Sequence, residues 1–364
     1  MKVMHIELGR HLYGGARQVA YLLNGIPPES GEHCLVACEQ AAVLEAVNHP
    51  AIQKHPLPFS GDLDLAYIAR LRRLIRQHTP DLLHIHSRRG DWLSALAGRL
   101  EGIPMIYSRR VDNPPHWLER YGKFPLFQTI ITISRGIRAV LIDAGVEACR
   151  VVCVPSAVDT DRYTPAGADR AGFRDEFGLS EDSITLGMVA QLIPRKGHHV
   201  LFEALPDVLA RQPELQVLLF GQGPLAAELA ALIEQNGWQE RVRLAGFRRD
   251  MERLIPCLDL LVHPALMEGL GVSLLEAAAA GVPVMASRVG GIPEVVQAGL
   301  NGELIQAGDS QALRDHLLRL LADTSLRRAY GTAGRAWVME HFSIARMVQG
   351  NCEIYRASFQ DCRP

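Results

Sequence analysis

Hydrophobic positions along the chain come in two patterns: short runs that are apolar almost throughout, and longer stretches in which apolar residues recur every three or four positions. In the first half VMHIEL, HCLVAC, DLLHIHS, PMIYS, TIITIS and VVCVP are of the first kind. Strands covered on both faces need such runs, so these predict a parallel sheet. ARQVAYLLNGI, with Val19, Leu22, Leu23 and Ile26 on one face, and LAYIARLRRLIRQH are of the second kind and predict helices between the strands. The order strand, helix, strand predicts a doubly wound α/β arrangement. After Asp159 to Gly172, a stretch rich in Pro, Gly and polar residues, the alternation starts afresh with ITLGMVA, LQVLLFG, VRLAGF, LDLLVHP, PVMAS and GELIQAG. The expected domains are therefore residues 1–165 and 170–340.

Composition agrees with two domains. A chain of 364 residues with 48% hydrophobic and 21% charged content is globular and long enough for two Rossmann-sized units. No apolar run approaches the roughly 18 to 20 residues that cross a bilayer, and the start, broken by His5 and Glu7, is too short for a signal peptide. A cytoplasmic protein is expected. Seven cysteines with no CxxC pair argue against a disulfide framework or a zinc knuckle. Cys34 and Cys38 beside His33 could be metal ligands, but their segment reads as a buried strand.

Parallel sheets bind ligands beyond the carboxyl ends of their strands, which directs attention to four loops. Gly14 and Gly15 precede a helix, where missing side chains let backbone amides approach an anion; a plain turn uses the same pair. Arg195 and Lys196 stand between a strand and a helix starting near His198, two cations suited to a diphosphate or to an exposed loop. GQG at Gly221 to Gly223 lacks the third glycine of the dinucleotide fingerprint, so no nicotinamide cofactor is expected. The fourth loop, EGLGVSLLEA, runs from Glu268 through Gly269, Leu270, Gly271 and Val272 into a helix whose first-turn amides suit a phosphate. Glu276 lies about one turn inside, roughly 5 to 8 Å further, the reach from a diphosphate to a ribose. Glu268 is placed towards the sugar end. A nucleotide-sugar fits between the two acids.

Glu268 and Glu276, seven residues apart, together with Arg195-Lys196-Gly197, GQGP, GGIPEV and the N-terminal Gly-Gly, resemble the retaining glycosyltransferases of family 4 over almost the whole chain. The resemblance implies the GT-B fold, two Rossmann-like doubly wound domains facing across a cleft, with the C-terminal helix, about Ile344 to Phe359 within residues 344–364, packing back on the N-terminal domain. It also implies that Glu276 holds the ribose, Glu268 contacts sugar hydroxyls, and Arg195 with Lys196 holds the diphosphate. The expected donor is a nucleotide-diphosphate sugar, a UDP-sugar ahead of a GDP-sugar, with Gly246 and Phe247 of the GFRRD loop expected at the base.

Two departures matter. The family histidine expected after the strand in PMIYSRRVDN is replaced by Ser108, Arg109 and Arg110, while His86, at the strand end in DLLHIHS, could line the cleft or sit in the core. VPSAVD stands where the family often has Asn-Gly before Val-Asp, so that loop's contacts do not carry over. The Asp-x-Asp pairs starting at Asp62 and Asp159 read as surface acids or caps. With cations and helix amides to neutralise the leaving diphosphate, no cofactor and no metal is required for the chemistry. Front-face attack, the departing phosphate taking the acceptor's proton, is what the resemblance implies.

Between Ile68 and Arg138 there are 13 Lys and Arg against 5 Asp and Glu. Arg88, Arg89, Arg109 and Arg110 follow strand ends, which predicts an anionic acceptor, a glycan or lipid-linked molecule, and docking at an anionic membrane surface on its inner face. Arg70, Arg72, Arg73 and Arg76 form either part of that patch or a solvated helix face. No nucleic-acid partner is expected. Lipopolysaccharide or surface-polysaccharide assembly is the default setting by analogy. The alternatives are an epimerase or hydrolase of sugar nucleotides on the same fold, and a non-catalytic nucleotide-binding scaffold.

Overall fold

The computed structural model describes residues 1–360 and divides into two compact units, Met1–Ala157 with the helix that begins at Ile344, and Val158–Ser343. The first unit comprises β1 (Lys2–Glu7), α1 (Gly14–Gly25), β2 (Glu32–Cys38), α2 (Ala42–Ala46), β3 (Gln53–Leu57), α3 (Leu65–His78), β4 (Leu82–Ile85), α4 (Asp91–Leu100), β5 (Met105–Arg109), β6 (Thr129–Thr132), α5 (Arg135–Asp143) and β7 (Val151–Cys153). Its seven parallel strands run in the order β3-β2-β1-β4-β5-β6-β7. The order reverses between β1 and β4, where His5 pairs with His84. Loops at the carboxyl ends of these two strands therefore diverge and leave room for a ligand.

The apolar runs became strands because both faces of the sheet are covered; β1 and β2 are buried along nearly their whole length. The exception is β3, QKHPL, an exposed edge strand whose Pro56 is tolerated there because an outer edge needs no ladder donor. Helix α3 begins at Asp64, whose carboxylate accepts from the Tyr67 amide. Asp62 accepts from the Gly90 amide, so both acids of that Asp-x-Asp pair fasten loops.

The second unit comprises α6 (Arg170–Phe177), β8 (Ile184–Val189), α7 (His198–Arg211), β9 (Leu215–Phe220), α8 (Ala226–Gln235), β10 (Val242–Gly246), α9 (Met251–Leu254), β11 (Leu260–His263), α10 (Val272–Ala279), β12 (Val284–Ser287), α11 (Ile292–Val295), β13 (Gly302–Ile305), α12 (Ser310–Ala322) and α13 (Thr324–His341). Its parallel sheet runs β10-β9-β8-β11-β12-β13 and reverses between β8 and β11. Asp159, the other Asp-x-Asp acid, caps the turn that opens this unit by accepting from the Asp161 and Arg162 amides.

From Ile344 the chain forms α14 (Ile344–Gln360), which belongs to the first unit and packs on α1. Gly25 of α1 lies so near Val348 that a methyl group there would sit 2.9 Å from its side chain. The two units carry separate cores, one around the β1–β7 sheet and one around the β8–β13 sheet. Among the described residues no helix is long and apolar enough to cross a membrane.

Candidate functional site

The second unit gathers four of the sequence-predicted residues at the carboxyl ends of β8 and β11. Arg195 and Lys196 lie in the turn before α7, and Gly197 closes that turn with φ +76°. A Cβ on Gly197 would stand 1.8 Å from the Pro264 carbonyl oxygen, so only glycine lets the turn lie against the loop after β11. The Leu266 amide then donates to the Arg195 carbonyl at 2.8 Å, locking the two loops. Through this contact Lys196 Nζ meets Glu268 Oε2 at 2.5 Å.

Glu268 is also 2.8 Å from His263 Nε2, at the end of β11, and its other oxygen accepts from the Gly269 amide at 3.1 Å. Burial by itself would raise the carboxyl's pKa. The hydrogen bond from His263 and the charges of His263 and Lys196 more than reverse that, and hold Glu268 well below the usual carboxylate range. It is a fixed anion bearing on a lysine. His263 was missed from the sequence; its only signal was a polar residue closing an otherwise apolar strand.

Beyond Glu268 the chain passes through buried Gly269, Leu270 and Gly271 into α10. Gly271 is the N-cap with φ +88°, and neither a capping side chain nor an acidic residue occupies the first turn. The leading amides of α10, from half-buried Val272 onward, are thus not satisfied by a cap, and the positive end of the helix dipole attracts an anion. Glu276 is buried one turn inside the same helix.

Two other loops end at the same edge of this sheet. GQG is a close-packing device: a Cβ on Gly221 would lie 1.9 Å from the Ala190 carbonyl oxygen, which explains the glycine without a dinucleotide. The GFRRD loop is pinned by charge. Arg248 and Arg253 both pair with Asp250 and Glu176, while Gly246 and Phe247 stand exposed.

In the first unit Gly14 and Gly15 open α1, whose N-cap Tyr13 provides no side-chain hydrogen bond. Arg110 reaches beneath this turn, its Cδ 3.4 Å from where a Gly15 Cβ would be. Glu7 accepts from the Gly9 amide at 2.8 Å; burial raises its pKa, opposed by that amide and by the Arg110 charge. In the VPSAVD loop, Gln18 of α1 grips Ala157 at both its amide and its carbonyl, at 2.7 and 2.8 Å.

The structure decides between two open readings, for His86 and for the arginines of α3, and departs from the one made for Arg109. His86 is 3% exposed and hydrogen-bonded to His5 at 3.0 Å, because its strand-end position turns it into the sheet's interior. Arg109 is 1% exposed, donates to the Asn113 carbonyl and lies 3.7 Å from Glu119; its charge is spent inside the fold. On α3, Arg70 pairs with Asp64 and both Arg72 and Arg76 with Glu101, so acids fix three of the helix's four arginines in place. Arg88 is exposed, and Arg89 is half-buried with its guanidinium 5.6 Å from the Phe59 ring centre.

Beside Arg88 lies an open cavity of about 750 Å³ within the first unit, lined among others by Asp62, Trp92, Asn113, His116 and Glu119. Lys123, 2% exposed, also lines it and donates to Asp91 and Glu119 at 2.7 Å each, with its ammonium 5.0 Å from the Tyr107 ring centre. The lysine's charge is therefore balanced locally. Carboxylates, an amide and an indole around one cavity suit a polyhydroxylated ligand better than a bare anion, with Arg88 an exposed cation at its edge. Sequence reading did not single out Trp92, Asn113, His116 or Glu119, since none belongs to a motif.

Two glycosyltransferase family models match these two parallel-sheet units. The model "Glycosyltransferase Family 4" matches residues 13–162 and the model "Glycosyl transferases group 1" matches residues 169–337. The chain is 31% identical to N-acetyl-alpha-D-glucosaminyl L-malate synthase of Bacillus anthracis, covering 99% of this chain and 94% of that one. It is 28% identical to the GDP-mannose-dependent alpha-(1-6)-phosphatidylinositol monomannoside mannosyltransferase of Mycolicibacterium smegmatis, covering 85% of each. Among solved structures, Anabaena HepE in complex with UDP superposes with a TM-score of 0.84 at 22% identity, covering 98% of this chain and all of that one. The protein belongs to the family 4 glycosyltransferases of the GT-B fold.

Proposed function

We propose that this enzyme moves a sugar, with retention of anomeric configuration, from a nucleotide-diphosphate sugar to a hydroxyl of a glycan or lipid-linked acceptor. One observation carries the reading: Glu268, held ionised by His263 and Lys196, sits immediately before the uncapped N-terminus of α10, which bears Glu276 one turn in. On this reading the diphosphate lies on the leading amides of α10, with Lys196 and Arg195 as its cations. Glu276 accepts from the ribose hydroxyls, and Glu268 orients the sugar. Gly246 and Phe247 lie at the base.

As the glycosidic bond breaks, charge grows on the diphosphate, and Lys196, Arg195 and the α10 amides stabilise it more than they stabilise the ground state. The departing phosphate takes the proton of the attacking hydroxyl on the same face of the sugar. These cations supply the neutralisation that a metal ion gives in other transferases. The acceptor sits in the first unit's cavity, its hydroxyls on Asp62, Asn113 and Glu119, a sugar or cyclitol face on Trp92, and an anionic substituent on Arg88.

Incubation of the full chain with UDP-sugars and with GDP-mannose, with and without phosphoinositol-, polyprenyl- and glycan-based acceptors, tests this. The expected outcome is acceptor-dependent transfer with the donor's anomeric configuration kept in the product, a UDP-sugar being used before GDP-mannose. Consumption of donor at the same rate without acceptor indicates an epimerase or hydrolase. An inverted product removes the front-face mechanism, and binding without turnover leaves a scaffold.

A further inference from the structure

Four of the chain's histidines lie in one buried cluster within the first unit, on the adjoining strands β1, β2 and β4 and just beyond the end of β4. His5, His33, His84 and His86 are each at most 4% exposed, and Tyr355 of α14, 0% exposed, closes the cluster. Hydrogen-bond accounting fixes part of the proton arrangement. Ser30 Oγ donates to the Pro27 carbonyl at 2.7 Å, so at 3.0 Å it accepts from His33 Nε2–H. His33 Nδ1 is then a bare lone pair and accepts from His5 Nε2–H at 3.0 Å. His5 Nδ1 is consequently a bare lone pair too, aimed at His86 Nε2 3.0 Å away. His84 is held by Ser108 Oγ at 2.8 Å and by Tyr355 Oη at 2.7 Å. His86 Nδ1 is buried with no hydrogen-bond partner among the described residues.

We propose that His5, His84 and His86 bind one divalent first-row transition ion of the zinc type, with the Tyr355 oxygen as fourth ligand, pinning α14 to the sheet. One nitrogen from each of the three rings lies within 4.8 Å of the others. A tetrahedral ion bonded at 2.0 to 2.1 Å spaces its nitrogens at about 3.3 Å, so small ring rotations close the site. The hydrogen-bond pattern of His5 and His33 is that of neutral imidazoles, and the neutral ring is the form that ligates. His33 behind His5 and Ser108 behind His84 stand where ligating histidines place the partner of their second nitrogen. Arg110 faces the rings and opposes a cation, but Glu7 balances it, and ligation by Tyr355 releases the phenolic proton to solvent and adds a negative charge. The sequence pair Cys34 and Cys38 takes no part. The cysteines lie buried along β2, and it is His33 of that strand that joins the cluster.

The test begins with wild-type full-length protein exposed to excess zinc and desalted without chelator. We expect about one zinc per chain, and Co²⁺ in place of zinc gives visible ligand-field bands of a tetrahedral site. Tyr355→Phe removes only the hydroxyl and should lower metal retention at least tenfold while leaving the fold intact by circular dichroism. His5→Gln should abolish the cobalt bands. Less than a tenth of an equivalent of zinc on wild type, with no visible cobalt band, overturns the proposal and leaves the histidines as a chain of neutral hydrogen-bonded rings. Unchanged retention in Tyr355→Phe, or unchanged cobalt bands in folded His5→Gln, overturns the site as drawn.

Discussion

Glu268 and Lys196 are 72 residues apart in the chain and meet at 2.5 Å, with side chains only 15% and 12% exposed. A pair this enclosed is costly to break from one side, because the surviving charge stays desolvated. Glu268→Gln should therefore destabilise the protein by about 2 to 4 kcal/mol and lower turnover. The pH dependence follows from the depressed carboxyl pKa. A carboxylate ionising more readily in the fold than in the unfolded chain gives its full stabilisation above the unfolded value of about 4.5 and loses it as pH falls towards the folded value. The stability gap between wild type and Glu268→Gln should be level from pH 7.5 to 5.5 and narrow only below about 4.5. Chemical denaturation across that range measures it, and a gap that closes already between pH 7 and 6 would show that Glu268 is not held ionised.

Glu276→Gln keeps the shape of the side chain and trades a charged acceptor for a neutral one. Loss of charge-assisted bonds to two ribose hydroxyls should weaken nucleotide diphosphate binding by about 1 to 2 kcal/mol with little change in fold. Titration calorimetry with UDP alone isolates this step, since no sugar or acceptor is present. Equal affinity in the two proteins would leave Glu276 as a structural acid of α10.

How far the sequence could be read depended on whether neighbours along the chain carried the information. The buried strands of both sheets were legible because a strand covered on both faces has to be apolar throughout, and α3 from Leu65 to His78 matched its periodic stretch. The edge strand β3 was not, because Gln53, Lys54 and His55 face no core and leave no apolar run. In the second unit, the Gly-rich entry to α10 was local and visible, whereas the bond from His263 to Glu268 depends on how β11 ends. The histidine cluster was hidden for a stronger reason: His5 meets His33, His84 and Tyr355 only because β1 lies between β2 and β4 and the chain's last helix returns. Likewise, counting arginines on α3 could not show that Asp64 and Glu101 fold onto three of them.

Lys196→Ala should separate binding from chemistry. If the ammonium acts mainly on charge that develops in the transition state, kcat falls by roughly 10²-fold while the donor Kd changes much less. Removing the lysine also leaves Glu268 with His263 as its remaining basic partner, so thermal stability should be recorded beside the kinetics. Equal losses in affinity and turnover would make Lys196 a tether, and Lys196→Arg, which restores charge with a different shape, should recover binding before it recovers rate.

The cavity proposed for the acceptor yields the last prediction, because its two walls should fail differently. Trp92 offers an indole face, so Trp92→Ala should raise the acceptor KM for neutral and anionic acceptors alike. Arg88 is the exposed cation of the cavity, so Arg88→Ala should raise KM by roughly tenfold, about 1.4 kcal/mol, only for acceptors carrying a phosphate or carboxylate. Salt provides an independent reading. Raising ionic strength from 0.05 to 0.5 M shortens the screening length from about 14 Å to about 4 Å. In wild type the KM for an anionic acceptor should climb over that range while the donor KM moves little, and Arg88→Ala should flatten the climb. Replacing Arg72 and Arg76 together should leave it unchanged, since Glu101 holds both. A salt response that disappears in the Arg72/Arg76 variant and persists in Arg88→Ala would move acceptor recognition from the cavity to the α3 surface.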